Sequence, residues 1–289
     1  MGCINSNGQF EHWFGNIHLS GSCNRSCYFC IGQHMQLLDA LNNLDVFPLK
    51  NIDEFIDRCI EKNINEINVT GSNTDPLLYK HTAKLKEYIK SRIPNLVFGI
   101  RTNSVLGNTR GDILQLYDKG SITICSFDPV IYKKMMGQGE PPRLNEILPN
   151  FKHFNRLKMN VVLGDENVET GDILRTIRMA MMYRFDTLNL REPYGQTHIG
   201  NPMERWNFKE SGRHLGMPYY MYGRLRITYW DVHFVEVESV NLYANGVVSL
   251  TYPVTKGHDP QNGQVTEQSK WGKGRHFSQW NHGKEPINY

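Results

Sequence analysis

The chain has 289 residues, 39% of them hydrophobic and 21% charged, with a formal net charge of +3. Such a chain buries one large core or two modest ones, which excludes disorder, a collagen-like repeat and a small disulfide scaffold. The basic bias is too weak to argue for nucleic acid, and no apolar run is long enough to cross a bilayer.

The start, "MGCINSNGQF", has no basic segment and no apolar h-region, so it does not read as a secretory signal. Met1-Gly2-Cys3 with Ser6 fits the loose myristoylation pattern, which short sequences match by chance. The six cysteines are Cys3, Cys23, Cys27, Cys30, Cys59 and Cys125. Their sparse use suits a reducing, cytoplasmic setting, where clustered thiols suggest a metal.

In chain order, "GNIHLSGSC" opens as a strand and ends at the thiols. "NIDEFIDRCIEKN" follows, with Ile52, Phe55, Ile56, Cys59 and Ile60 on one helix face, so Cys59 reads as a core residue. "INEINVTGSN" is the next strand, and "KHTAKLKEYIKSRI" an amphipathic helix stopped by Pro94. "NLVFGIRTNS" and "SITICSFDP" are strands around a helix at "GDILQLYDKG"; Cys125 sits in the second. A helical stretch from about Ile131 to Phe154, broken at "GQGEPP", leads to the strand "LKMNVVLGDEN". The helix "TGDILRTIRMAMMYR" and the strand "FDTLNLREPYG" complete the series.

Strands alternating with helices argue for a parallel sheet covered by helices. The strands read as nearly continuous apolar runs, expected when both faces are buried. Each ends in polar or glycine-bearing residues, where α/β folds collect their chemistry. Six units fall short of a closed barrel of eight, so a partial (β/α)6 TIM-like barrel is expected over residues 1–195. Residues 196–289 differ. "RLRITYWDVHFVEVESV" alternates as one half-buried strand, and Asn245-Gly246 marks a hairpin. A small C-terminal antiparallel β extension is expected, capping the barrel and shaping a substrate pocket.

"GSCNRSCYFC" sets Cys23, Cys27 and Cys30 at C-x3-C-x2-C spacing. Thiolates favour zinc or iron–sulfur clusters. A zinc staple finds a fourth ligand in His34, at x3 spacing from Cys30. The other reading is a four-iron cluster held by three thiolates, with one iron left open for a small molecule.

This motif, with Phe29 before the last Cys and just after the first strand of a (β/α)6 pattern, resembles the radical S-adenosylmethionine (SAM) superfamily. The likeness covers about Gly15 to Gly195. It implies that Cys23, Cys27 and Cys30 ligate a single [4Fe-4S] cluster whose open iron is chelated by SAM. It also implies that Phe29 lies near the adenine. The family's Gly-Gly-Glu-Pro, which receives the SAM amine, corresponds here to Thr70-Gly71-Ser72-Asn73-Thr74-Asp75-Pro76. The glycine pair is absent, so which of Gly71, Ser72, Asn73, Thr74 and Asp75 meets the amine stays open; a turn or helix cap before Pro76 is the plainer role for Asn73 and Asp75. By the same likeness Thr102 or Asn103 lines the SAM pocket, Ser126 or Asp128 bonds its ribose or carboxylate, and Leu163 backs the adenine. Asp128 before Pro129 reads equally as a helix cap. Arg191, Glu192 and Tyr194 would face the cavity mouth, against a solvated salt bridge as the plain alternative.

The resemblance implies reductive cleavage of SAM to a 5′-deoxyadenosyl radical that takes hydrogen from a small-molecule or nucleotide substrate. The electron would come from a donor such as a flavodoxin or ferredoxin. No Cys follows Cys125, so a second cluster in the last third is not expected. Basic and aromatic residues mix in the tail, at Lys270, Trp271, Lys273, Arg275, His276, Trp280, His282 and Lys284. They suit phosphate contact and base stacking, but a solvated tail pinned by its tryptophans is preferred to nucleic-acid binding. His198, His214, Asp231 and His233 are further candidates for hydrogen bonding or proton transfer. A zinc-binding non-catalytic protein and a radical enzyme acting on nucleic acid or peptide are the alternatives.

Overall fold

The structure is a computed structural model that describes residues 13–35, 41–194, 198–231 and 238–251. Cys3, the myristoylation pattern, His233 and the basic aromatic tail lie outside the described residues.

Strands β1 (Phe14–Leu19), β2 (Glu66–Gly71), β3 (Val97–Thr102), β4 (Lys119–Thr123), β5 (Leu157–Val162) and β6 (Thr187–Arg191) lie side by side in chain order. All pair in parallel. The connections carry helices α1 (Ile52–Glu61), α2 (Thr82–Arg92), α3 (Gly111–Leu114), α4 (Pro129–Met136), α5 (Leu144–Ile147), α6 (Asp165–Val168) and α7 (Asp172–Met182). This is the partial α/β barrel that the strand–helix alternation predicts.

Helix α1 buries Ile52, Phe55, Ile56 and Cys59, and Phe55, Cys59 and Ile67 crowd the backbone at Gly15. Ile60, expected on the same face, is 48% exposed. At ~100° per residue it falls roughly 90° from the centre of that stripe.

Beyond β6 the chain forms α8 (Pro202–Arg205), β7 (Gly212–His214), β8 (Met217–Tyr222), β9 (Leu225–Trp230), β10 (Glu238–Leu242) and β11 (Val248–Thr251). The run expected as one strand from Arg224 to Val240 is two strands at opposite ends of the sheet. β9 pairs in parallel with β6 and leads an antiparallel β7–β8–β9 group. β10 pairs in parallel with β1, and its hairpin with β11 turns at Asn245-Gly246 as expected. The antiparallel strands therefore extend both edges of one eleven-stranded sheet, in the order β11-β10-β1-β2-β3-β4-β5-β6-β9-β8-β7.

The expectation of apolar strands on both faces is corrected. Ile17, Ile67, Val69, Ile100, Met159, Leu190 and Ile227 are buried in the core with the helices. The opposite, inner face presents Asn16, His18, Asn68, Arg101, Lys119, Lys158, Asn160, Asn189 and Thr228, in rows fixed by the register. The period-two alternation in "EINVTG" and "LKMNVV" is the signal for this. On that face the charges of Glu66 on β2 and Arg226 on β9 both act on Lys158 of β5. The core thus lies between sheet and helices, and the inner face is free to be polar.

Candidate cluster and cofactor site

The cysteines occupy the loop between β1 and a 3-10 turn at Ile31–His34. The loop after β2 fixes this segment. Asn73 Oδ1 accepts from the Ser20 hydroxyl at 2.9 Å and from the Gly21 N–H at 3.0 Å. The Thr74 hydroxyl donates to the Ser22 carbonyl at 2.8 Å. From the other side, the Ser26 N–H donates to the Met136 carbonyl at 3.2 Å. Gly137 makes that approach possible: its φ is +90°, and a Cβ there would lie 2.1 Å from Ser26 Oγ. Gln33 Nε2 donates to the carbonyls of Cys27 and Tyr28, closing the loop on itself.

None of the three thiols is joined in a disulfide. Cys27 Sγ lies 3.7 Å from Met136 Sδ, and Cys30 Sγ 3.4 Å from the Ser72 carbonyl. Asn103 Nδ2 is 4.0 Å from Cys23 Sγ and donates to Asn24 Oδ1 at 2.7 Å. Burial, then the neighbouring Asp75 charge, pushes the Cys23 thiol up to about 12. Burial, then Cys30 and the other thiols, pushes Cys27 up as well. The three sulfurs are thus within electrostatic reach of one another, and as thiolates they need a cationic partner. Asn24 Nδ2, in the residue next to Cys23, is buried without a partner. Three neighbouring thiols beside an orphaned donor fit a group that is cationic at its irons and accepting at its sulfides.

His34 packs edge-on against Tyr194, with ring centroids 4.9 Å apart. Among the described residues no three His, Cys, Asp or Glu side chains converge on a single point, as one ion would require. A cluster differs, because each thiolate binds its own iron.

The segment Thr70–Pro76 departs most from expectation. Asp75 is 2% exposed. Its Oδ1 accepts from the Leu77 N–H at 2.9 Å, and its Oδ2 from the Asn103 N–H at 2.7 Å. The Thr102 hydroxyl lies within 2.9 Å of both oxygens. Burial pushes this carboxyl up, opposed by those donors. Asp75 also caps the 3-10 turn that starts at Pro76, the cap role weighed for it from sequence. Gly71 has no alternative: a Cβ there would lie 1.7 Å from the Thr74 carbonyl oxygen. Ser72 Oγ is 3.4 Å from His18 Nδ1. Burial lowers the His18 pKa to about 3, so this ring stays neutral.

The other predicted positions spread outward. Phe29 stacks edge-on with Tyr28 at 5.4 Å, and the Tyr28 hydroxyl donates to Glu166 at 3.0 Å, tying the cysteine loop to the end of β5. Ser126 is buried and accepts from the Asp128 N–H at 2.9 Å. Asp128 caps α4 through the N–H groups of Val130 and Ile131, and its Oδ2 lies 3.8 Å from Arg175. The Leu163 side chain is buried in the core, while its N–H donates to the Arg191 carbonyl at 2.8 Å. Arg191 is half-buried at the end of β6. The structure therefore gathers Cys23, Cys27, Cys30, Ser72, Asn73, Thr74, Asp75 and Asn103, and leaves Ser126, Asp128, Leu163 and Arg191 on neighbouring strand ends. Sequence reasoning missed Asn24, Gln33 and Met136, which no spacing singles out.

A family model described as the radical SAM superfamily matches residues 17–177. The chain belongs to the radical SAM superfamily. This radical SAM protein is accordingly an enzyme, and the family's cofactors are a [4Fe-4S] cluster and SAM. Comparison with curated proteins returns no match. Among solved structures it is similar to SuiB of Streptococcus suis bound to S-adenosylmethionine, at 15% identity and a TM-score of 0.47, covering 71% of this chain and 45% of that one. It is also similar to methylornithine synthase (PylB), at 14% identity and a TM-score of 0.43, covering 66% and 56%. Coproporphyrinogen III oxidase (HemN) from Escherichia coli follows at 11% identity and a TM-score of 0.42, covering 64% and 45%. The radical SAM chain thus spans about half the length of each. No helix among its described residues is long and apolar enough to cross a membrane.

At the ends of β6 and β9 this enzyme carries a second group of titratable side chains. Glu192 is buried and accepts from the Gly200 N–H at 2.7 Å and the Tyr229 hydroxyl at 2.8 Å. Two of the sequence candidates meet here: His198 Nε2 lies 3.3 Å from Asp231 Oδ2. His214 lies apart, in β7.

Proposed function

We propose that this protein cleaves SAM reductively and uses the resulting radical on a small metabolite or nucleotide held against the inner face of the sheet. The observation that carries the reading is the C-x3-C-x2-C loop, pinned by the Ser72–Thr74 segment. Cys23, Cys27 and Cys30 would hold the cluster. When bound, the cluster and SAM supply an electron, a severed sulfonium and a 5′-deoxyadenosyl radical able to remove hydrogen.

The chain's own residues orient and exclude. Asn73, Thr74 and Asp75 spend their side chains on holding the two loops, so the loop's backbone carbonyls and the Ser72 hydroxyl are the acceptors offered to the SAM amine. Asn103 stands beside Cys23 as a donor. Phe29 and the backbone at Leu163 would flank the adenine, Ser126 or Asp128 would bond the ribose or carboxylate, and Arg191 would face the cavity mouth. The segment beyond residue 195 shapes the substrate pocket from both sheet edges, and a flavodoxin or ferredoxin delivers the electron in the cytoplasm.

The test is an anaerobic assay of reconstituted protein with dithionite and SAM, reading 5′-deoxyadenosine by mass. Product from the wild type and none from Cys30→Ala supports the reading. Zinc instead of iron in the metal analysis, with no product, overturns it.

A further inference from the structure

The inner face of β5, β6 and β9 carries an arrangement that SAM cleavage does not use. The registers set Lys158 level with Arg226, and Asn160 and Asn189 level with Thr228; Trp230 ends β9 above them. None of these three strands contains an Asp or Glu. The inner-face carboxylate of β2, Glu66, is already paired with Lys119. Among the described residues, neither Lys158 nor Arg226 has an ion-pair partner.

A second observation is independent of charge. The inward side chains of β9 in succession are Arg226, Thr228 and Trp230. Each has a buried polar atom without a hydrogen-bond partner: Nε, Oγ1 and Nε1 respectively. Thr228 is 1% exposed. Buried donors are normally matched, so three in line on one strand form a row prepared for acceptors. Water could match the neutral groups, but it would not balance the two cations.

We propose that this face binds an oxyanion, so that the substrate carries a carboxylate or phosphate received by Lys158 and Arg226, with Thr228 and Trp230 donating to its oxygens. The inference rests on the reading that substrate lies on the inner face of the sheet. A guanidinium suits an oxyanion because its planar fork offers parallel N–H groups, and that of Arg226 is steadied over the Tyr219 ring at 5.9 Å. Burial, then the nearby Lys119 charge, lowers the Lys158 pKa to about 8. An anion placed beside it would reverse that shift.

The test uses the full chain with its cluster reconstituted. Inorganic phosphate and succinate are titrated separately by calorimetry at constant ionic strength, with chloride as control. Saturable binding of one of them at a single site is expected; phosphate indicates a phosphorylated substrate and succinate a carboxylic acid. Lys158→Met and Arg226→Met should each weaken that binding about tenfold or more. Thr228→Val should weaken it several-fold while raising the thermal midpoint, because the isosteric methyl removes an unmatched hydroxyl; this variant decides the matter should the charged ones not fold. No saturable binding of either anion, or equal binding by Thr228→Val and by folded Lys158→Met, overturns the proposal. 5′-Deoxyadenosine is read on the same preparations. Anion binding without SAM cleavage would sink the proposed function and keep the anion site; SAM cleavage without anion binding would do the reverse.

Discussion

Replacing Asp75 by Asn separates two roles that its position allows. The carboxylate is almost fully buried and presents an acceptor oxygen to each of two backbone N–H groups, those of Leu77 and Asn103. An amide keeps one oxygen and turns an NH2 toward the other N–H. One buried backbone donor then loses its partner, at about 1–3 kcal/mol, and a charge-assisted bond is lost with it. A destabilisation of about 3 kcal/mol follows. For a chain of this size that is a fall of about 5 °C in thermal midpoint, at roughly 2.1 cal/mol/K of unfolding entropy per residue. The loop that Asp75 anchors also carries Asn73 and Thr74, which hold the cysteine loop, so iron retention should fall as well. Differential scanning of the apo protein, beside iron analysis after reconstitution, reads both. An Asp75→Asn variant with wild-type midpoint and iron content but a raised KM for SAM would refute this reasoning. It would make Asp75 a direct contact of the amine.

Gly71→Ala forces a Cβ to within 1.7 Å of the Thr74 carbonyl unless the loop moves, so SAM-dependent 5′-deoxyadenosine formation should drop at least tenfold. Retained activity would show that the loop yields without cost. Glu192→Gln gives up a buried acceptor for the N–H groups of Ile199 and Gly200. It should cost about 2 kcal/mol in urea unfolding and speed amide exchange at those two residues. Lys158 gives a pH signature. Burial lowers its pKa from the ordinary lysine value of 10.5 to about 8, with Lys119, Arg101, Arg226 and Glu66 facing it. Between those values the unfolded chain holds more protons, so wild-type stability should gain a contribution of order 1–3 kcal/mol as pH rises from 8 toward 10.5. Lys158→Met should lose that contribution and be the more stable protein at pH 7, as parallel urea titrations would show.

The parallel sheet was legible because each strand–helix unit carries its own local signals: apolar helix stripes, a Pro stop such as Pro94, polar strand ends. The cysteine loop was legible because its spacing is local too. What escaped was non-local. The alternating run from Arg224 to Val240 satisfies the strand pattern throughout, and nothing in its period says that β9 joins β6 while β10 joins β1. Asn24, Gln33 and Met136 act through contacts on and around the cysteine loop that residue type does not announce. The polar inner face is written in the alternation of Asn68 with Ile67 and Val69, a period that short strands rich in apolar residues mask.

That inner face explains how one sheet serves both stability and chemistry. Residues one step apart along a strand serve opposite ends: Met159 and Val161 on β5 join the helix-covered core, while Lys158 and Asn160 face inward. Substitutions at the outward positions change packing and should act on folding. Those at inward positions leave the core intact, so they are free to change what the enzyme binds. On β9 this freedom has been taken to the point where three successive inward side chains carry unmatched polar atoms. Selection for stability alone would have matched or removed them, as Thr228→Val would do. Their presence beside Lys158 is accounted for by an oxygen-rich partner that arrives only with the substrate.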